Sequence, residues 1–186
     1  MAFVATTAGL AAQQNLIEGR AGSPVRVVIY EDLQCPDCAA FRRMMDEKLL
    51  PRYAEKVEFL HRDFPMAKHR WARRASIAAR YFSLRKPELG MEFRRHTMAN
   101  ILDTDEGNFE DRLAAFAREH GVNPEEAVAA LQDARLAALV EKDYQDGGSR
   151  GVARTPTVFV NGTPYIEHFS FEEISKGIDQ ALAETK

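Results

Sequence analysis

Cysteine is nearly absent: the 186 residues contain two, Cys35 and Cys38, separated by two residues. A chain stapled by disulfides uses more cysteines and closes longer loops, so a disulfide scaffold is excluded. A structural zinc site takes four ligands, often as two such pairs, and a single pair falls short. No apolar run reaches membrane-spanning length, and there is no internal repeat or low-complexity tract. Charge of one sign is lacking too. The 25 basic and 28 acidic residues leave a formal charge of −3, which argues against nucleic-acid binding driven by phosphate neutralisation. What remains is ordinary globular composition, 45% hydrophobic and 28% charged, with a cysteine pair that reads as chemistry.

The apolar pattern gives the order of elements. Residues 25–31 (VRVVIYE) are β-branched and apolar, as a buried strand is. The CPDC motif follows, and residues 39–50 then carry Phe41, Met44, Met45 and Leu49 at helical spacing, with Pro36 in the first turn and Pro51 at the expected end. Residues 57–64 predict a second strand, making a strand–helix–strand unit around the cysteines. Residues 66–145 are helical throughout, with helices expected over 71–84, 87–99, 108–120 and from the Asn123 cap to about 145. The cluster DGGSRG at 146–151 is expected to stop the last of these. Two strands, 157–160 and 165–168, flank a hairpin connection at 161–164, and Ser170 with Glu173 forms a capping box for a final helix.

A cysteine at a helix start lies where unpaired backbone N–H groups and the positive end of the dipole favour the thiolate. A second cysteine one turn on can attack a mixed disulfide formed at the first. This assigns Cys35 as nucleophile and Cys38 as resolving thiol, against the alternatives of inert thiols or half a metal site. Asp37 between them is expected to oppose thiolate formation by like-charge repulsion and so to temper oxidising power.

These residues resemble the DsbA-like thioredoxin-fold disulfide oxidoreductases, through residues 27–38 (VVIYEDLQCPDC) and 151–162 (GVARTPTVFVNG). The resemblance covers the chain from about Pro24 onward. It implies an α/β, thioredoxin-like fold with an inserted all-helical subdomain: residues 1–65 and 146–186 as the core (1–23 an N-terminal extension) and 66–145 as the insertion. It also implies that Thr155-Pro156 is a cis-proline loop packed against the dithiol, Thr155 offering its backbone for substrate docking. Pro36 and Asp37 would tune the site. The sequence departs from the family at Ile29, where many relatives carry a buried acid. Glu31 and Asp32 come later, on opposite faces if the strand continues. Asp32 is expected chiefly to cap the turn, with proton transfer by either acid as the lesser reading.

His61 and His69 could complete a zinc site with the cysteines, but a surface or core role is expected for both and no metal is implied. Arg70, Arg73, Arg74, Arg80 and Arg85 read as a solvated face rather than a docking patch for acidic partners. Trp71, Phe82, Phe93 and Phe116 read as core. The expected function is disulfide exchange with cysteine-containing protein substrates, as an oxidase, with an unidentified recycling partner. No bound cofactor is implied, since the dithiol is itself the redox group. The alternatives are a reductase or isomerase of the same fold, or a non-catalytic peptide-binding or chaperone-like module. Residues 1–12 are small and apolar with no basic residue before them, so a complete secretory signal is not expected there. An exported or periplasmic location is favoured over the cytoplasm.

Overall fold

The computed structural model describes residues 16–185; the apolar segment 1–12 lies outside the described residues. A five-stranded sheet has the order β1-β3-β2-β4-β5. The strands are β1 (Leu16–Gly19), β2 (Arg26–Glu31), β3 (Glu58–Asp63), β4 (Thr157–Val160) and β5 (Thr163–Ile166). Among the described residues only β2 and β3 run parallel, Val27 beside Phe59 and Glu31 beside Asp63; the other pairings are antiparallel. The parallel pair requires a crossover, and helix α1 (Pro36–Met44) supplies it. With α2 (Leu50–Tyr53) and α8 (Phe171–Glu184), α1 covers one sheet face. There Val27, Ile29, Phe59, Val158 and Val160 pack against Phe41, Met45, Leu49, Ile174 and Ile178. Between β3 and β4 lie α3 (Ala72–Arg85), α4 (Pro87–Ala99), α5 (Phe109–Glu119), α6 (Pro124–Ala129) and α7 (Ala134–Ser149). Their shared apolar core includes Trp71, Phe82, Phe93 and Phe116 and continues without a break into Leu33, Cys35 and Cys38.

The elements depart from the sequence reading in five places, each with a local cause. Pro51 does not end the first helix. A single π turn, Met45–Leu49, makes the Leu50 N–H bond the Met45 carbonyl five residues back, and Pro51 sits in the first turn of α2, where its missing N–H costs nothing. The helix expected from 123 to 145 is broken at Asp133, whose carboxylate accepts the Arg135 N–H at 2.8 Å and starts α7 afresh. That helix then runs through the glycines to Ser149. Gly147 is there for closeness: a Cβ on it would lie 2.7 Å from the Phe64 ring and 2.9 Å from Tyr30. The second hairpin strand begins at Thr163, two residues earlier than expected, because Asn161 and Gly162 alone make the turn, both at positive φ. Pro164 is tolerated because β5 is an edge strand. Finally, β1 carries only two apolar residues, too few to read as a strand, and its Glu18 ties it to Arg42, His61 and Arg95.

Candidate active site at the dithiol

Strand β2 ends at Glu31, and the chain turns over residues 32–35 before α1. The Cys35 N–H bonds the Asp32 carbonyl at 3.1 Å, and Cys35 becomes the N-cap of α1 with extended backbone. Pro36 then takes the first helical position, where no N–H is wanted. This places the Cys35 sulfur over the helix N-terminus. Its thiol also donates to the Thr155 carbonyl at 3.3 Å, and the Thr155-Pro156 peptide bond beside it is cis. Residues 120 positions apart thus meet at one sulfur. Cys38, one turn up, is fully buried, and its sulfur accepts the Asp32 N–H at 3.4 Å. Pro36 and Asp37 are exposed at the helix tip.

The two thiols, both free, are pulled apart electrostatically. Cys35 is brought down to about 6, chiefly by a hydrogen bond from the Cys38 thiol, which outweighs its burial; the Cys38 and Asp37 backbone N–H groups add to it. Burial pushes Cys38 well up, and its partner sulfur and the nearby Glu31 charge act in the same direction. The backbone of Asp37 therefore supports the thiolate that its side-chain charge was expected to oppose.

Glu31 and Asp32 go to separate places. The Asp32 carboxylate is buried and accepts the backbone N–H groups of Gln34 and Met66 and the His69 ring, each at 2.7 Å. It ties the active-site turn to the loop entering the helical block, and burial holds its pKa up despite these bonds. Glu31 meets His61 at 2.8 Å and Arg94 at 2.9 Å. Burial alone would raise it, yet these two cations hold it at about 2. His61 lies between Glu31 and Glu18, which raise its pKa against the effect of burial. Neither histidine joins the cysteines in a metal-sized group, and none exists among the described residues.

Sequence reasoning missed the ion-pair ladder of which these residues form part. Arg94 bridges Glu31 and Asp63, Arg80 bridges Asp63 and Asp143, and Arg62 reaches Asp143 at 2.8 Å. Arg80 is buried, which corrects its place on the solvated face: it lies on the inner side of α3, where only a carboxylate can compensate its desolvation. Arg70, Arg73, Arg74 and Arg85 pair with Glu106, Glu141, Glu110 and Glu126 of the surrounding chain. The available signal was charge inside apolar strands, at Glu31, His61 and Asp63.

Comparison with known proteins places this geometry in context. A family model described as thioredoxin matches residues 11–180. A probable disulfide bond formation protein D of Bacillus cereus is 27% identical over 178 residues, covering 91% of this chain and 79% of the relative. The Na(+)/H(+) antiporter NhaA 3 of Salinispora tropica is 28% identical over 171 residues; this chain, 91% covered, spans about a quarter (25%) of that protein's length. Among solved structures, oxidised BdbD from Bacillus subtilis superposes with a TM-score of 0.82 at 24% identity, covering 92% of this chain and 94% of that one. Wolbachia pipientis α-DsbA1 gives a TM-score of 0.80 at 17% identity, covering 91% and 92%. These structural likenesses establish the thioredoxin-like fold with its helical insertion.

Proposed function

The chain belongs to the thioredoxin family, in the DsbA-like branch of its disulfide oxidoreductases, and from that premise we propose that it oxidises cysteine-containing protein substrates through Cys35 and Cys38. The observation that carries this reading is the split between the two thiols: Cys35 at the helix tip, pulled down to about 6, against the buried Cys38 pushed up. In the oxidised form a substrate thiolate attacks the Cys35 sulfur. A bond forms between the substrate and Cys35, the Cys35–Cys38 bond breaks, and Cys38 leaves and takes up a proton. A second substrate thiolate, having lost its own proton, then attacks the substrate sulfur of the mixed disulfide and expels Cys35. Two electrons pass from the substrate dithiol to this chain.

A sulfur whose thiolate is stable is the better leaving group, so the second step runs toward oxidised substrate. Thr155 holds its carbonyl beside Cys35 and positions the docked chain, with Pro156 next to it. The dithiol serves as its own redox group, and a recycling partner that accepts its electrons completes the cycle. The disulfide-forming names of the relatives support work in an oxidising compartment outside the cytoplasm.

The test is equilibration with glutathione. A potential nearer roughly −120 mV supports the oxidase, and one nearer roughly −270 mV overturns that direction in favour of a reductase. Cys35→Ser is expected to reduce exchange to background. Peptide binding that Cys35→Ser leaves intact, with no exchange above background in the unmodified chain, would return the chain to a peptide-binding module with incidental cysteines.

A further inference from the structure

Beside the dithiol runs a groove whose charge the exchange chemistry does not use. Helix α1 and the segment from β5 into α8 enclose about 440 Å³ between Asp37, Phe41, Met44, Glu167, Phe169 and Glu173. Its floor is apolar: Phe41 and Phe169 meet edge to face at 5.3 Å, and Phe169 in turn leans on Tyr165 at 5.8 Å. Its near end adjoins the active site through Asp37 and Glu167. Asp37 lies between the two cysteines, and the Glu167 N–H donates to the Pro156 carbonyl at 2.8 Å. A chain held at Cys35 advances at most about 3.6 Å per residue, so two or three residues beyond the reacting cysteine reach as far as about 11 Å along the groove's direction.

The rim is acidic. Glu173 uses one carboxylate oxygen to cap the Ser170 N–H at 2.7 Å, and Glu167 faces Arg154 at 2.6 Å. Asp37 is exposed and has no ion-pair partner among the described residues. An apolar floor under a carboxylate rim fits a side chain with an apolar stem and a cationic tip, and lysine and arginine are built that way. An acidic residue in the same place meets like charge and loses its hydration.

We propose that this groove selects substrate segments carrying a lysine or arginine within about three residues of the reacting cysteine, and that it rejects acidic flanks. The proposal rests on the oxidoreductase reading and names the substrate class for it. One attractive ion pair at the surface is worth about 1 kcal/mol, or about fivefold in rate.

The experiment uses the oxidised full chain and two dicysteine peptides that differ only in Lys or Glu two residues after the first cysteine. Rates of peptide oxidation are compared at low ionic strength and in roughly 1 M salt, where charges more than about 3 Å apart are screened. The Lys peptide should react about fivefold faster or more at low salt, with the ratio approaching one at high salt. Met44→Lys places a cation on the groove floor away from the sulfurs and should bring the low-salt ratio to about one. Equal rates for the two peptides in the unmodified chain overturn the proposal, as does a preference that neither salt nor Met44→Lys alters. If neither peptide is oxidised at all, the oxidoreductase reading fails and takes this proposal with it, a result distinct from equal oxidation.

Discussion

Two buried regions meet at the end of β2 and handle the low-dielectric interior in opposite ways. Around the cysteines the surroundings are apolar, with Leu33, Ala39, Trp71 and Ala75 in one packed cluster with both sulfurs. There, burial at Cys38 outweighs the bond from the Asp32 N–H, and the outcome is a pair of thiols with very different acidities. Immediately behind lies the ladder Glu18–His61–Glu31–Arg94–Asp63–Arg80–Asp143, where each charge meets an opposite one within hydrogen-bond distance. One region lets desolvation act on one thiol and so separates the acidities of the pair; the other cancels it to keep groups inert. The contrast explains why a carboxylate as buried as Glu31 stays ionised while the neighbouring Asp32, paired with His69, is held up by burial.

Removing one cation from the ladder should have the largest effect. Arg94→Ala takes one cation from both Glu31 and Asp63, leaving them His61 and Arg80, and is expected to cost about 3–5 kcal/mol in denaturant unfolding. Arg74→Ala, at a half-exposed pair with Glu110, should stay within about 1 kcal/mol. Equal losses in the two variants would erase the distinction between the ladder and the surface pairs.

On the reactive side, Cys38→Ala removes the hydrogen bond that is the main cause of the acidity of Cys35. The thiolate absorbance of Cys35 should titrate near pH 6 in the reduced native chain and move toward the ordinary thiol range in the variant. A midpoint that does not move would assign the acidity to the helix terminus alone.

The ladder also fixes a pH dependence. The folded pKa of Glu31 lies below its ordinary value, so its contribution to stability is present above about 4.5 and is lost as pH falls toward about 2. His61 has the opposite sign: its pKa is raised, and its contribution is lost as pH climbs through that raised value. Unfolding free energies of Glu31→Gln and the native chain, measured across the acid range, should converge as pH drops. Parallel curves would mean that Glu31 carries no linked proton.

The smallest change expected is at Asp37, where the side chain is exposed. Asp37→His should make the couple more oxidising by roughly 30 mV at most against glutathione, since only a screened surface charge is altered. A much larger shift would place the side chain in closer contact with the sulfur than its exposure implies.

Much of this was legible in the residues. The β-branched run at 26–31, the proline after Cys35, and the Ser170–Glu173 box each state a local rule that the neighbouring structure obeys. The failures came where a residue answered to a distant partner. Gly147 reads as a helix breaker until Phe64 and Tyr30 are seen against it. Arg80 reads as solvated until Asp63 and Asp143 come round from other elements. β1 was invisible because its strand character comes from pairing with β3 rather than from its own pattern.

The sequence by itself determined the dithiol, its place between a strand and a helix, and the order of elements, because spacing, capping and periodicity act within a few residues. Tertiary structure decided what surrounds those groups. The burial that raises Cys38, the inertness of Glu31 and the meeting of Cys35 with Thr155 all depend on which residues share a buried volume, and that volume is assembled from segments up to 120 positions apart. Electrostatic energy depends on distance and dielectric, and neither is encoded at any single position.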